Sequence, residues 1–358
     1  MPSKPSKQPD SKDGTSRGRF SLRRKVLFSA ITFALFFGSF EILLRLSGFE
    51  MNVGVERMEF TFPLDDYNTN PRQPFLVRDE QLFWRPRPGA MEHNSRGFYG
   101  PEFQVDKKPG VFRIVCMGDS CTHFGPNSYP DLLRIYLDEI APGKFEVINA
   151  AVIGYTSFQG RRLFESEVLK WSPDLVTVYY GWNDHWLARG LQDKEQSASS
   201  SSALDSLYGL RIVQLAAFLL GGIGNENTTF KRVEPDDYRD NLTQIGQQCE
   251  SREIDLWYFT APHAFDLGIP PYLATSGEVA DIRTLIPLHQ SYNQIVRKVA
   301  EKGDAELIDL ESEMDGMSKL ELFMEDNIHL SEGGRFYVTR RIIETLQATG
   351  VLEESPTP

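Results

Sequence analysis

The sequence predicts an α/β fold: a parallel sheet with helices on both faces, preceded by one apolar helix. From Val111 onward, short apolar segments alternate with amphipathic segments of helical length. This alternation is typical of parallel sheets covered by crossover helices. A separate apolar run covers residues 26–46. The composition, 41% apolar and 25% charged among 358 residues, suits a protein with a sizeable core and excludes wholesale disorder, collagen and coiled coil.

The first element is a basic tail over residues 1–25. It holds eight Lys and Arg against two Asp, a net charge of +6. The rest of the chain has 30 Lys and Arg against 48 Asp and Glu, a net charge of −18. Because an acidic surface repels phosphate backbones, nucleic acid is not an expected partner.

The second element is a transmembrane signal-anchor helix over residues 26–46. Its only charges are Glu41 and Arg45, four positions apart near the far end. At about 1.5 Å per residue the run reaches roughly 31 Å, close to the thickness of a hydrocarbon core. The flanking basic residues predict a cytoplasmic N-terminus and export of everything that follows.

Two alternatives to the anchor stay open. A cleaved signal peptide is the stronger one, although Ser39–Gly48 offers no A-x-A-like cleavage site. A buried helix of a soluble protein is the other, and the basic flank fits it poorly.

Residues 47–110 are predicted to form a stalk and an N-terminal extension, because they are rich in Pro, Asn, Arg and aromatic residues without sustained periodicity. A domain follows over 111–350, and 351–358 form a tail.

The 111–350 domain has five predicted strands, which are Val111–Met117, Phe145–Asn149, Leu175–Tyr180, Ile254–Thr260 and Ala305–Leu310. The amphipathic segments between them are Asp131–Ile140, Phe158–Trp171, Asp236–Ser251, His289–Lys302 and Glu332–Leu346.

An insertion at 190–230 interrupts this alternation. It contains the serine run Ser199–Ser202 and a strongly apolar segment over 204–222. The segment fits a lid, a helix that touches the membrane, or a buried helix, and we favour the buried helix.

No metal or cofactor site is predicted. The three cysteines, Cys116, Cys121 and Cys249, are too few for a disulfide framework, and their spacing fits no four-ligand zinc site.

Candidate catalytic groups occur in four loops. Ser120, in Gly118-Asp119-Ser120, ends the first strand ahead of a helix, where its hydroxyl faces a cleft and its N–H faces a developing oxyanion. Gly154, in the loop after the second strand, lets the backbone approach a substrate closely. Asn183, in Gly181-Trp182-Asn183-Asp184, offers an amide as a third donor. Each loop by itself also fits an ordinary turn.

The fourth loop is Asp326-Asn327-Ile328-His329-Leu330. Three residues bring Asp326 back alongside His329, so that its carboxylate holds Nδ1 of the ring while Nε2 faces a serine. The other histidines are interpreted as structural or pocket-lining; they are His93, His123, His185, His263 and His289. Asp119 and Asp184 are expected to organise their loops by hydrogen bonds.

Together the four loops resemble the signature blocks of the SGNH/GDSL hydrolases, over about Val111 to Thr349. The resemblance implies a three-layer fold around a five-stranded parallel sheet. It implies Ser120 as nucleophile, His329 as general base and Asp326 as the acid that orients the histidine. It also implies an oxyanion hole made by the N–H groups of Ser120 and Gly154 and by the Asn183 side chain. The first block departs mildly, with Cys121 where leucine is common.

The N-terminal region is similar to that of membrane-anchored bacterial members, which carry the Glu41-x-x-x-Arg45 spacing and an Asn94-Ser95-x-Gly97-Phe98 stretch. The resemblance therefore implies a serine esterase acting on O-acyl groups, above all O-acetyl groups of exported or cell-surface polysaccharide. The alternatives are an O-acyltransferase on polysaccharide, a lipase or phospholipase, and a catalytically idle binding or assembly scaffold. The sequence leaves the oligomeric state open.

Overall fold

The computed structural model describes residues 21–49, 75–79, 81–123, 126–188, 192–195, 210–219, 230–274 and 277–353. Residues 1–20 of the predicted basic tail, residues 50–74 of the predicted stalk and extension, and the serine run of the insertion lie outside these ranges.

The strands are β1 (Leu76–Asp79), β2 (Phe83–Pro86), β3 (Phe112–Gly118), β4 (Phe145–Asn149), β5 (Leu175–Tyr179), β6 (Asp255–Phe259) and β7 (Glu306–Ile308). The last five form one parallel sheet in the order β4-β3-β5-β6-β7. The predicted parallel sheet is confirmed, with strand ends shifted by at most two residues. The carboxyl ends of parallel strands share one edge. The loops with Ser120, Gly154 and Asn183 directly follow β3, β4 and β5, whereas the loop with Asp326 and His329 does not directly follow a strand.

The helices are α1 (Leu22–Leu46), α2 (Ser120–His123), α3 (Tyr129–Ile140), α4 (Ser157–Ser166), α5 (Arg211–Leu219), α6 (Pro235–Glu250), α7 (Leu285–Lys302), α8 (Leu310–Met314), α9 (Lys319–Leu322) and α10 (Glu332–Ala348). Apolar residues of α4, α6 and α7 pack on one face of the sheet. Those of α3 and α10 pack on the other face. The three-layer arrangement predicted from the family resemblance is therefore confirmed.

The described part of the extension is folded against the sheet domain. Strands β1 and β2 pair as an antiparallel hairpin that the sequence did not predict. Asn94 then closes a turn, because its Oδ1 accepts hydrogen bonds from the N–H groups of Arg96 and Phe98 at 3.0 and 3.1 Å. Gly97 has a φ of +82°, and a Cβ there would lie 2.4 Å from the carbonyl oxygen of Pro86. The turn seats Phe98 on the ring of Trp171, which gives the Asn94-to-Phe98 stretch a structural role.

Helix α1 is long and apolar enough to cross a membrane, a property that signal sequences share. Glu41 forms an ion pair with Arg45 at 2.7 Å. The same carboxylate accepts hydrogen bonds from the backbone N–H groups of Arg211 and Ile212, at 3.0 and 2.9 Å. It therefore satisfies two of the free N–H groups that begin α5.

The expectation of a buried helix in the insertion is wrong for α5. Among its described side chains only Gln214 is buried, and Leu219 is 71% exposed. Its described side chains Ile212, Val213 and Leu215 are half-buried, because α5 packs on α1 and not inside the domain core.

Candidate active site

Ser120 is the first residue of α2, directly after β3. The turn between them requires Gly118, because a Cβ there would lie 2.9 Å from the carbonyl oxygen of Tyr179 and within 2.7 Å of the Thr122 side chain. Ser120 itself is 3% exposed. The sheet therefore places its hydroxyl at the carboxyl edge, as predicted.

The loop ahead of α10 brings His329 to this hydroxyl. Nε2 of His329 lies 2.8 Å from the Ser120 Oγ, although the two residues are 209 positions apart. On its other side Nδ1 lies 2.5 Å from an Asp326 carboxylate oxygen. The second oxygen of Asp326 accepts hydrogen bonds from the N–H groups of Ile328 and His329. The structure thus brings the three predicted residues together in one hydrogen-bonded chain.

The electrostatics of this chain favour an ionised acid. Burial raises the pKa of Asp326, but the hydrogen bonds and charge of His329 and the two backbone N–H groups outweigh it, so the pKa is lowered overall. An ionised carboxylate fixes the ring with its proton on Nδ1, and Nε2 is then an acceptor for the serine proton.

The three predicted oxyanion donors lie around the same edge. Gly154 has a φ of +77°, a conformation that glycine adopts without strain. Within the described ranges, the backbone N–H groups of Ser120 and Gly154 donate to no protein acceptor. The Nδ2 of Asn183 donates to Asp119 Oδ2 and to the Tyr155 carbonyl, both at 3.1 Å. Two backbone donors are therefore free, whereas Asn183 has to release one of its bonds to serve as the third.

Asp119 and Asp184 hold the loops, as expected. Oδ1 of Asp119 accepts from the N–H of Cys121 at 2.9 Å. Oδ1 of Asp184 accepts from both the N–H and the hydroxyl of Ser157, at 2.9 and 2.6 Å. Burial raises the pKa of Asp119 to about 6 and that of Asp184 to about 7.

The other histidines contact one another, aromatic rings and backbone carbonyls. His185 and His289 are hydrogen bonded to each other at 2.9 Å, and His289 also bonds the Ala261 carbonyl. The ring of His123 stacks on that of His93, and His263 stacks on Phe265. Burial lowers the pKa of His123 and of His289 to about 3, so both are neutral. Among the described residues no group of His, Cys, Asp and Glu is arranged to hold a metal ion.

Two residues outside the predicted set, Trp84 and Arg232, contact the Gly154 loop. Trp84 donates from its indole Nε1 to the Ile153 carbonyl. Arg232 donates to the Gly154 carbonyl and is itself paired with Asp193. No local pattern marks these residues, because Trp84 and Arg232 reach the loop from 69 and 78 positions away.

One protein family and several solved structures are similar to this chain. The GDSL-like Lipase/Acylhydrolase family matches residues 116–335. A lipase/acylhydrolase from Enterococcus faecalis is similar in structure, with 18% identity, 69% of this chain and 100% of the other covered, and a TM-score of 0.47. The acetyl xylan esterase AlAXEase is 17% identical, with 66% of this chain and 100% of the other covered, and has a TM-score of 0.45. An acetyl-xylooligosaccharide esterase variant from Geobacillus has 15% identity, coverage of 70% and 100%, and a TM-score of 0.44.

No curated protein matches the sequence significantly. The family match spans more than half of the chain and includes all four loops. The chain belongs to the GDSL-like lipase/acylhydrolase family and is a hydrolase that acts on ester bonds.

Proposed function

We propose that this protein is a serine esterase that removes O-acetyl groups from exported or cell-surface carbohydrate. The observation that carries the proposal is the hydrogen-bonded chain from the Ser120 hydroxyl through His329 to Asp326. A hydroxyl, a base and an orienting acid in this order are the parts of an activated serine nucleophile.

In the proposed mechanism, Nε2 of His329 removes the Ser120 proton as Oγ attacks the ester carbonyl. Asp326 stabilises the imidazolium that forms. The protonated ring then gives its proton to the departing sugar oxygen, which leaves an acyl-enzyme. Water, deprotonated by the same ring, attacks the acyl carbonyl and releases the carboxylic acid.

The tetrahedral oxyanion would be stabilised by the N–H groups of Ser120 and Gly154. Asn183 would join them by giving up its bond to Asp119 or to Tyr155. Each preorganised donor of this kind is typically worth about 10² to 10³ in rate. Asn183→Ala should therefore lower kcat more than it raises KM.

The low exposure of the catalytic side chains is consistent with a short acyl group. Ser120, His329 and Asn183 are 3%, 4% and 5% exposed, so only a small part of each can be reached from solvent. An acetyl group needs far less room than a long acyl chain. The carbohydrate part rests on the resemblance to anchored bacterial members and on the candidate anchor helix α1.

The test combines active-site labelling with product analysis. We expect a fluorophosphonate probe to label wild type but not Ser120→Ala, and acetylated glycans to release acetate with wild type only. A folded wild type without label would contradict the nucleophile. Release of long acyl chains but no acetate would replace the carbohydrate substrate by a lipid. Transfer of acetyl to a sugar acceptor in preference to water would make the protein an acyltransferase.

A further inference from the structure

We propose that Trp84, with Arg232, is a positioning residue that fixes the Gly154 N–H in the orientation needed to bind the oxyanion. This inference rests on the proposed esterase mechanism, because it assigns a role to the residues behind one of its donors. It also gives the N-terminal extension a function at the active site.

The geometry of one peptide bond carries the argument. Nε1 of Trp84 donates to the carbonyl oxygen of Ile153 at 3.1 Å. That carbonyl and the N–H of Gly154 belong to the same peptide plane. No peptide bond among the described residues is cis, so C=O and N–H point in opposite directions across the plane. Holding the carbonyl toward Trp84 therefore holds the Gly154 N–H on the opposite side.

The next peptide plane is held as well. Nη1 of Arg232 donates to the Gly154 carbonyl at 2.8 Å. The guanidinium is fixed by Asp193, whose two oxygens lie 3.2 and 3.0 Å from Nε and Nη2. The Asp193 side chain is 1% exposed and also accepts from the Thr156 hydroxyl at 2.7 Å. Consecutive peptide planes on either side of Gly154 thus each have one dedicated donor.

The two donors also hold each other. The Arg232 guanidinium lies over the Trp84 ring, 5.7 Å from its centroid. The Tyr155 hydroxyl donates to the Trp84 carbonyl at 2.6 Å, which ties the loop back to β2. This matters because glycine rotates more freely than any other residue, and an unheld Gly154 would lose its N–H orientation at little cost. The hydrogen bond from Trp84 to the Ile153 carbonyl also polarises this peptide group, which makes the Gly154 N–H a stronger hydrogen-bond donor.

The sharpest test replaces the indole but keeps an aromatic ring, as in Trp84→Phe. The matched control is Trp171→Phe. Trp171 is also buried, 2% exposed against 6% for Trp84, and packs on the same extension through Phe98 and Phe103. Its ring contacts among the described residues are with this extension and not with the Gly154 loop. We expect Trp84→Phe to lower kcat for an acetyl ester about 10- to 100-fold with KM changed less than threefold. Trp171→Phe should keep kcat within about threefold.

Hydrogen–deuterium exchange gives a readout that does not depend on turnover. Peptides over residues 150–156 should exchange faster in Trp84→Phe, and in Arg232→Met, than in wild type or Trp171→Phe. Equal loss of kcat in both tryptophan variants would mean general loosening and would overturn the proposal, as would unchanged exchange over 150–156. If wild type hydrolyses no acyl ester, the proposed function fails separately, while the exchange data still decide whether Trp84 holds the loop.

Discussion

A single carboxylate determines which nitrogen of His329 carries the proton. In Asp326→Asn the amide oxygen can still accept from the N–H groups of Ile328 and His329, but the amide nitrogen would face Nδ1. The ring would then carry its proton on Nε2 and could not accept one from Ser120. We expect kcat to fall by about 10³ to 10⁴, with the thermal midpoint nearly unchanged. Steady-state kinetics check this, and a variant that altered only KM would contradict the role of Asp326.

Asp119, beside the catalytic residues, is expected to make the stability of the folded protein depend on pH. Its folded pKa of about 6 lies above the ordinary value of 3.8, so the folded state keeps a proton that the unfolded chain releases. The stability from this group is fully present below pH 3.8 and is lost as the pH rises through 6. Asp119→Asn should therefore flatten the decline of the melting temperature between pH 4 and 7, relative to wild type. Thermal scans across this range measure the difference.

The same substitution should affect catalysis. An asparagine amide at position 119 would face the Asn183 amide in place of the oxygen that now accepts from it. We expect kcat to fall about tenfold or more at pH 7. Asp184→Asn is the matched control for burial of a carboxyl group, because Asp184 bonds Ser157 and not Asn183. Equal kcat losses in the two variants would argue against a specific contact between Asp119 and Asn183.

Among the secondary-structure elements, those with a regular pattern of apolar residues could be predicted from the sequence. The five sheet strands are apolar because both faces of the sheet are covered, and they stand out for that reason. The β1 and β2 hairpin does not stand out in the sequence. Each of its strands has only four residues and includes a charged one, and Phe83 has a φ of +70°. Ser120 was found through a local pattern at the end of β3, and His329 through the Asp326-x-x-His329 spacing ahead of α10. Trp84 and Arg232 were not, since only the folded chain brings them to the Gly154 loop.

The contact between α1 and α5 includes two hydrogen bonds to one side chain, the carboxylate of Glu41. Glu41→Ala removes the acceptor for the N–H groups of Arg211 and Ile212, and losing such a cap typically costs about 1 kcal/mol. In detergent micelles the amides at the start of α5 should exchange about fivefold faster than in wild type. Arg45→Ala is the control, because it breaks the ion pair but leaves the carboxylate in place. Unchanged exchange in Glu41→Ala would show that α5 is held by other contacts.

Along the whole molecule, a basic N-terminal segment is followed by an apolar segment and then by an acidic remainder. The first 25 residues carry +6 and the rest −18, and the apolar part of α1, residues 26–46, comes directly after the basic residues. A chain of this kind is expected to keep its basic end in the cytoplasm. We therefore propose that α1 anchors the protein and that the esterase domain faces away from the cytoplasm.

Site-directed cysteine labelling tests this orientation, and the protein suits the method. All three native cysteines are buried, and burial raises the pKa of Cys116 and of Cys249 to about 12, so background labelling should be low. A cysteine in place of Asp236, whose side chain is 85% exposed, should react with a membrane-impermeant maleimide in spheroplasts. A cysteine in place of Ser16 should react only after lysis. The reverse pattern would invert the topology, and loss of the Ser16→Cys label from the mature protein would identify α1 as a cleaved signal sequence.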